Sequence, residues 1–320
     1  MNAAVVHAFG SPPRYTTFDD PVPGEGEARV RVSAAGLHPV VRALAAGTHY
    51  GSTGNLPFIP GVDGVGRLED GSRVYFGVSR SPFGSFAEQT VAPRSLCLPV
   101  PEEIDDVTLA AIANPAMSAW AALKLRANFT PGENVLILGA TGVAGTLAVQ
   151  IARRLGARRV IAAGRNPQAL EQVSKLGADA VVALIPDRQA QVAEFRRAWA
   201  DSGVDVVLDY LWGPPAESLL AAISQKGLDH PTSRIRFIQV GTSAAPTITL
   251  AGATLRSSGL EILGSGFGSA SLADLLQAVG DFFKEGARTP FAIDHQAAPL
   301  RDVERLWSES ESGARWVFQP

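Results

Sequence analysis

The chain has 320 residues, room for two ordinary domains, and a hydrophobic fraction of 46% against 18% charged describes a globular, well-buried protein. A net charge of −3 gives no footing for a nucleic-acid or anionic-membrane surface. One cysteine, Cys97, excludes an intramolecular disulfide and a cysteine zinc cluster.

The N-terminal stretch MNAAVVHAFG lacks a basic segment followed by a long apolar one, so no signal peptide is expected. No apolar run reaches the ~20 residues of a membrane span, and a soluble, cytoplasmic protein is the expectation. From Met1 to about Pro115 the pattern is one of short strands punctuated by Gly and Pro. Residues 3–7 are one candidate strand. Residues 28–34 alternate charged and apolar side chains, as a half-buried strand does. Residues 61–66, 73–76 and 86–91 read as further strands of a small, glycine-rich barrel. Helices are predicted over 39–46 and 106–125, the second broken or kinked at Pro115.

From Asn134 to about Gly264 strands and helices alternate. Val135-Leu136-Ile137-Leu138 has no polar residue and reads as a strand buried on both faces. Gly139, Gly142 and Gly145 follow in G-x-x-G-x-x-G spacing, with Thr141, Val143 and Ala144 among them. Leu147, Ile151 and Leu155 then recur at helical spacing up to Gly156, and a second apolar run, 160–163, ends at Gly164 and Arg165. Strand, glycine turn, helix, strand is the first half of a dinucleotide-binding unit. A pyrophosphate needs unpaired amides at the positive end of a helix and a backbone it can approach closely. Gly142 and Gly145 meet that need. An acidic residue at the end of the second strand would bind the ribose hydroxyls of NAD, whereas an arginine suits the 2′-phosphate of NADP. Arg165 stands there, Asn166 is a candidate helper, and no Asp or Glu lies between Val160 and Asn166. NADP(H) is therefore the expected cofactor.

Further strands are predicted at 180–184, 204–208, 234–240 and 260–263, with helices at 167–176, 188–200 and 214–223. Six strands with crossovers make an α/β, doubly wound parallel sheet. Its ligand edge is marked by Gly139, Arg165, Asp209, Gly241 and Gly264. Tyr210, Thr242, Ser243, Gly266 and Phe267 follow strand ends where a nicotinamide would lie. The tail from Ser271 is read as two helices and a closing strand that return to the first domain.

Several segments, collinear across nearly the whole chain, resemble the zinc-free quinone oxidoreductases of the medium-chain dehydrogenase/reductase superfamily. They are AAGLH at 34–38, LPFIPGVDGVG at 56–66, DGSRV at 70–74, GSFAE at 84–88 and AMSAWAAL at 116–123. The resemblance implies a six-stranded Rossmann domain over 116–269 and a GroES-like, mainly β-barrel catalytic domain from 1–115 and 270–320. It also implies that Ser118 touches the nicotinamide, and that the protein is a homodimer. Where zinc-holding relatives have a cysteine and a His-Glu pair, this chain has His38 and Val62-Asp63, short of the three protein ligands of a catalytic zinc. No metal is expected, and His38 is read as a hydrogen-bonded histidine by the nicotinamide ribose. Relatives often carry a lysine and a tyrosine for the 2′-phosphate. Ala183 falls where that tyrosine would be, so the preference for NADP rests on Arg165.

The resulting expectation is an NADPH-dependent, zinc-independent reductase of a small-molecule electrophile, a quinone or activated alkene. Tyr50, in a loop that borders the substrate cleft in relatives, is either a donor to the developing oxyanion or a wall of that cleft. Two other readings stay open: a non-catalytic NADPH-binding protein of the same fold, and an alcohol dehydrogenase. No nucleic acid or membrane partner is expected.

Overall fold

In the computed structural model, which describes residues 1–224, 233–309 and 314–320, the Gly- and Pro-punctuated first third forms short strands. β1 (Asn2–Val5) pairs antiparallel with β2 (Arg14–Thr17). β3 (Glu27–Gly36) is the longest strand of this region, and its buried and half-exposed residues alternate as the sequence pattern requires. After α1 (Pro39–Ala45) come β4 (Asp63–Arg67), β5 (Arg73–Gly77), β6 (Gln89–Pro93) and β7 (Cys97–Pro99). β3 pairs antiparallel with both β4 and β6, and β5 bridges β4 and β7. β2 and β7, only four and three residues long, are too short to show a period in the sequence.

The helix α2 (Asp106–Ala121) is continuous through Pro115, so of the expected break or kink the break does not occur. Its irregularity lies further on, in a π-helical turn over Ala122–Arg126. Leu109, Ala110, Ala111, Ile112, Ala113, Ala116 and Ala119 are all buried. Burial along this face outweighs the loss of one backbone bond at proline.

The alternating region follows as β8 (Asn134–Leu138), α3 (Val143–Arg154), β9 (Arg159–Gly164), α4 (Pro167–Lys175), β10 (Ala180–Ala183) and α5 (Arg188–Ala198). It continues with β11 (Val206–Asp209), α6 (Gly213–Ile223), β12 (Arg234–Gln239), α7 (Gly252–Arg256) and β13 (Gly259–Gly264). These six strands form one parallel sheet in the order β10-β9-β8-β11-β12-β13. The direction of winding reverses between β8 and β11, the position at which open α/β sheets take their ligands. Gly156, at φ 92°, ends the first crossover helix in the left-handed conformation that glycine alone adopts freely.

The chain ends with α8 (Leu272–Arg288), β14 (His295–Pro299), α9 (Val303–Leu306) and β15 (Arg315–Gln319). β14 was not foreseen; it pairs parallel with β15, which in turn pairs antiparallel with β3. The seven-stranded sheet so formed runs β14-β15-β3-β4-β5-β7, with β6 on β3. By contact density the chain separates into two units, Met1–Pro115 with Val279–Pro320, and Ala116–Ala278. Each has its own core, the first around Val30, Phe76, Phe86 and Phe318, the second around Leu136, Phe195, Leu219 and Phe237. Among the described residues no helix is long and apolar enough to cross a membrane.

Candidate functional site

The ends of the parallel strands are level. Leu138 lies opposite both Ala163 and Asp209, Asp209 opposite Gln239, and Gln239 opposite Gly264. Everything that follows these residues emerges on one edge. From β8 the chain turns at Gly139, φ 91°, and the amides of Gly139 and Ala140 both donate to Ala163 O, at 3.0 and 2.9 Å. Gly142 then caps α3 without a side chain to offer it, so the amides of the first turn have no intrahelical acceptor.

The glycines here have different reasons. A side chain on Gly145 would start 2.2 Å from Gly139 O and 2.6 Å from Ala140 Cα, so helix and strand could not approach as they do. A side chain on Gly142 would meet nothing closer than Gly139 O at 3.8 Å. The protein itself has no need of glycine at 142, and the exposed space over it is what a close-lying ligand would use. Val143 is buried and Ala144 half-buried in the same turn. Thr141 packs on Gly164, where a Cβ would lie 2.5 Å from Thr141 Cγ2. Next to it Arg165 is exposed and forms no hydrogen bond or ion pair among the described residues. Asn166 caps α4, its Oδ1 accepting from Ala169 N at 3.1 Å, so only its amide nitrogen is left for a ligand.

Beyond β11 the chain makes a turn that the sequence reading missed. Trp212 takes φ 56°, ψ −162°, a region that belongs almost entirely to glycine and costs roughly 1–3 kcal/mol for other residues. Gly213 follows at φ 62°. Asp209 Oδ1 holds this path by accepting from Leu211 N at 2.8 Å and Trp212 N at 3.0 Å. The Asp209 side chain is fully buried, and its Oδ2 has no hydrogen-bond partner among the described residues. Burial pushes its carboxyl up to about 6, against the pull of the two backbone donors. An aspartate followed three residues later by Trp-Gly was the available signal. Burial likewise raises the Tyr210 phenol, opposed by the Ser118 side chain beside it, so these two predicted residues meet. Ser243 Oγ donates to Tyr210 O at 2.8 Å, and a Cβ on Gly241 would lie 2.8 Å from the same oxygen. Thr242, Gly266 and Phe267 are exposed at the ends of β12 and β13.

In the other unit His38 and Asp63 are 1% and 3% exposed, with His38 Nε2 3.5 Å from Asp63 Oδ1. Tyr75, not singled out from sequence because it sits in an ordinary apolar strand run, donates its hydroxyl to Asp63 Oδ2 at 2.8 Å. Arg315 is buried too, with Nη1 donating to Leu37 O at 2.7 Å. Burial, then the Arg315 charge, holds the His38 imidazole well below its ordinary value. Burial pushes the Asp63 carboxyl up to about 7, with the Tyr75 bond and Arg315 pulling the other way. The donor set does not fit a zinc ion. His38 and Asp63 fall short of the usual three protein ligands, and one carboxylate oxygen is taken by Tyr75. Among the described residues no three His, Cys, Asp or Glu side chains gather as a metal site. Tyr50 is 75% exposed, its ring over His49 at 4.1 Å.

Two predictions follow from this geometry. Gly145→Ala should cost about 1–3 kcal/mol or more through overpacking, whereas Gly142→Ala should cost no more than ~1 kcal/mol, the usual scale of an N-cap change; equal losses in thermal unfolding would contradict the contact distances. The second concerns Asp63. Below its ordinary value of 3.8 the carboxyl is protonated whether folded or not, and between 3.8 and about 7 the unfolded chain ionises first. Stability is therefore lost as pH rises through that window and the loss is complete above it. Asp63→Asn removes the effect while still accepting from Tyr75. Its Tm should gain on the native protein from pH 4 to 7 and stay level above; a difference that calorimetry finds constant across this range would count against a buried carboxyl.

The family described as zinc-binding dehydrogenase matches residues 143–283. A probable NADPH-dependent quinone reductase of Emericella nidulans is 29% identical over the full length of both chains. A quinone oxidoreductase of Pongo abelii is 30% identical over 241 residues, 71% of each chain. The quinone oxidoreductase of Thermus thermophilus, solved alone and with NADPH, is 28% identical and superposes over all of both chains with a TM-score of 0.82. With the sheet order, the glycine turn and these likenesses in agreement, the chain belongs to the medium-chain dehydrogenase/reductase superfamily as a quinone oxidoreductase-like oxidoreductase.

Proposed function

We propose that the protein is an NADPH-dependent reductase that passes hydride to quinones or α,β-unsaturated carbonyls without zinc. The observation that carries this reading is Arg165, exposed and unengaged at the end of β9 with no carboxylate beside it to take a ribose diol. Gly142 and the open amides of α3 suit the pyrophosphate. The NADPH-dependent relative in Emericella nidulans and the NADPH complex of the Thermus protein support the same cofactor. When bound, NADPH supplies the hydride. The protein's residues then orient and stabilise. Ser118, Tyr210 and the loops at 241–243 and 266–267 are assigned to the nicotinamide end, and His38 to its ribose. Residues 116–269 would form the cofactor domain, and 1–115 with 270–320 the substrate domain.

An activated alkene or quinone needs no Lewis acid, because charge develops on a conjugated oxygen that one or two hydrogen bonds can stabilise. Tyr50, with its exposed ring, is the proposed donor. The protein is assigned to the cytoplasm. We also infer a homodimer, in which the edge strand β13, paired on one side only among the described residues, meets its symmetry mate.

NADPH oxidation with a panel of quinones and enones should proceed in a strong chelator, and primary alcohols with NADP should give essentially no rate. Each charge-assisted bond from Arg165 to a 2′-phosphate is worth ~1.5–3 kcal/mol. Arg165→Ala should therefore weaken NADPH about ten- to a hundredfold and leave NADH nearly unchanged. Tyr50→Phe should lower kcat by up to ~10²-fold. Tight cofactor binding without turnover would mark a non-catalytic NADPH-binding protein, and chelator-sensitive alcohol oxidation an alcohol dehydrogenase. Light scattering should find twice the 33.6 kDa chain mass; a monomer at micromolar concentration rejects the dimer.

A further inference from the structure

The turn from Asp209 to Gly213 touches the loops on both sides of it. Toward β8, Tyr210 N donates to Leu138 O at 3.0 Å. On the same side, a Cβ on Gly139 would lie 3.0 Å from Leu211 Cδ2 and 3.3 Å from Tyr210 Cβ. Toward β12, Asp209 O accepts from Val240 N at 2.8 Å and Gly241 N at 3.0 Å, and Leu211 O accepts from Ala244 N at 2.8 Å. A Cβ on Gly213 would meet Ala245 Cβ at 2.6 Å. The backbone between these contacts follows the left-handed path at Trp212 and Gly213. The two bonds to Asp209 Oδ1 hold it from within the turn, and Ser243 Oγ, donating to Tyr210 O at 2.8 Å, holds it from the neighbouring loop.

We propose that Asp209 is a positioning residue: by holding the 209–213 turn, its Oδ1 fixes the backbone of the glycine turn 139–145 on one side and of the loop 241–245 on the other, and so acts on a bound dinucleotide without touching it. The proposal rests on the reading of 139–145 as the cofactor turn. It replaces the expectation that Asp209 is itself a ligand contact. An acceptor is required at Oδ1, not a charge, and among the described residues Oδ2 has no partner to lose. Asparagine should therefore serve where alanine cannot.

The test has two arms, each run on the native protein, Asp209→Ala and Asp209→Asn. The first is amide hydrogen exchange without cofactor. Asp209→Ala should speed exchange at least about tenfold within 139–145 and 241–245 while α5 keeps its protection, and Asp209→Asn should match the native protein. The second is affinity for NADPH and for adenosine 2′-monophosphate, which lacks the pyrophosphate. Asp209→Ala should weaken NADPH by about tenfold or more and leave the nucleotide fragment unchanged, with Asp209→Asn restoring NADPH. Unchanged exchange in Asp209→Ala, exchange that rises evenly through the unit, or an Asp209→Asn variant as impaired as alanine would each overturn the proposal. If Asp209→Ala does not fold, Asp209→Asn decides: native-like exchange and affinity support the acceptor role, and loss of either overturns it. A native protein that binds no NADPH would remove the cofactor reading, while the exchange arm would still decide whether Asp209 holds the two loops.

Discussion

Gly139 O stands where a side chain on Gly145 would begin, and this contact governs the second unit. It lets the first turn of α3 lie directly against the end of β8. The first turn of α3, with its open amides, thereby starts at the sheet edge where β9, β11, β12 and β13 also end. A residue even one carbon larger at 145 would push the helix away and dissolve the relation between dipole and edge. Hydrophobic burial holds the layers together. This single close approach decides where the charge-binding end of the helix sits.

Both units bury a carboxyl group and deal with it differently. Asp63 is met by a phenol, with an imidazole and a guanidinium near it, so the burial cost is shared among side chains from β4, β5, β15 and the residue before α1. Asp209 is met by the backbone of its own turn. Each carboxyl has a raised pKa, the ordinary response of an acid withdrawn from water, because neutralising it costs less than burying the charge. The first arrangement gathers polar side chains from separate elements around one acid. The second uses an acid as a brace for strained backbone.

How much of this was legible in the sequence follows from how local each cause is. β8, the glycine turn, α3 and β9 are dictated by consecutive residues, and their pattern is plain in the chain. The parallel strands were readable because β8, β9, β10 and β11 are short, mostly apolar runs each followed by a helix, and β12 and β13 continue the same alternation despite their charged residues. β2, β7 and β14 were not: each is only three to five residues long and carries no alternating or continuous apolar pattern, so its pairing shows only in the fold. The helix is unbroken at Pro115 because burial along α2 outweighs the local rule. The Asp63–Tyr75 bond joins neighbouring antiparallel strands, and Arg315 comes from the far end of the chain. No spacing rule could announce that group. The different demands on Gly142 and Gly145 were equally invisible, since both read simply as glycine in a turn.

The place of β15 has a consequence for how the chain is made. It lies between β14 and β3, within the first unit's sheet, yet its residues are made only after the whole of the second unit. Ala35 and Gly36 wait for Phe318 and Val317 across an interval that contains the whole second unit. On the ribosome, the second unit therefore has its complete sequence first, although it begins later. The first unit holds an unfinished sheet edge until the residues after the second unit have been made. Pairing over so long a separation is slow and leaves strand edges exposed meanwhile, so the vulnerable species during biosynthesis is the N-terminal segment, already emerged and still lacking its last strands.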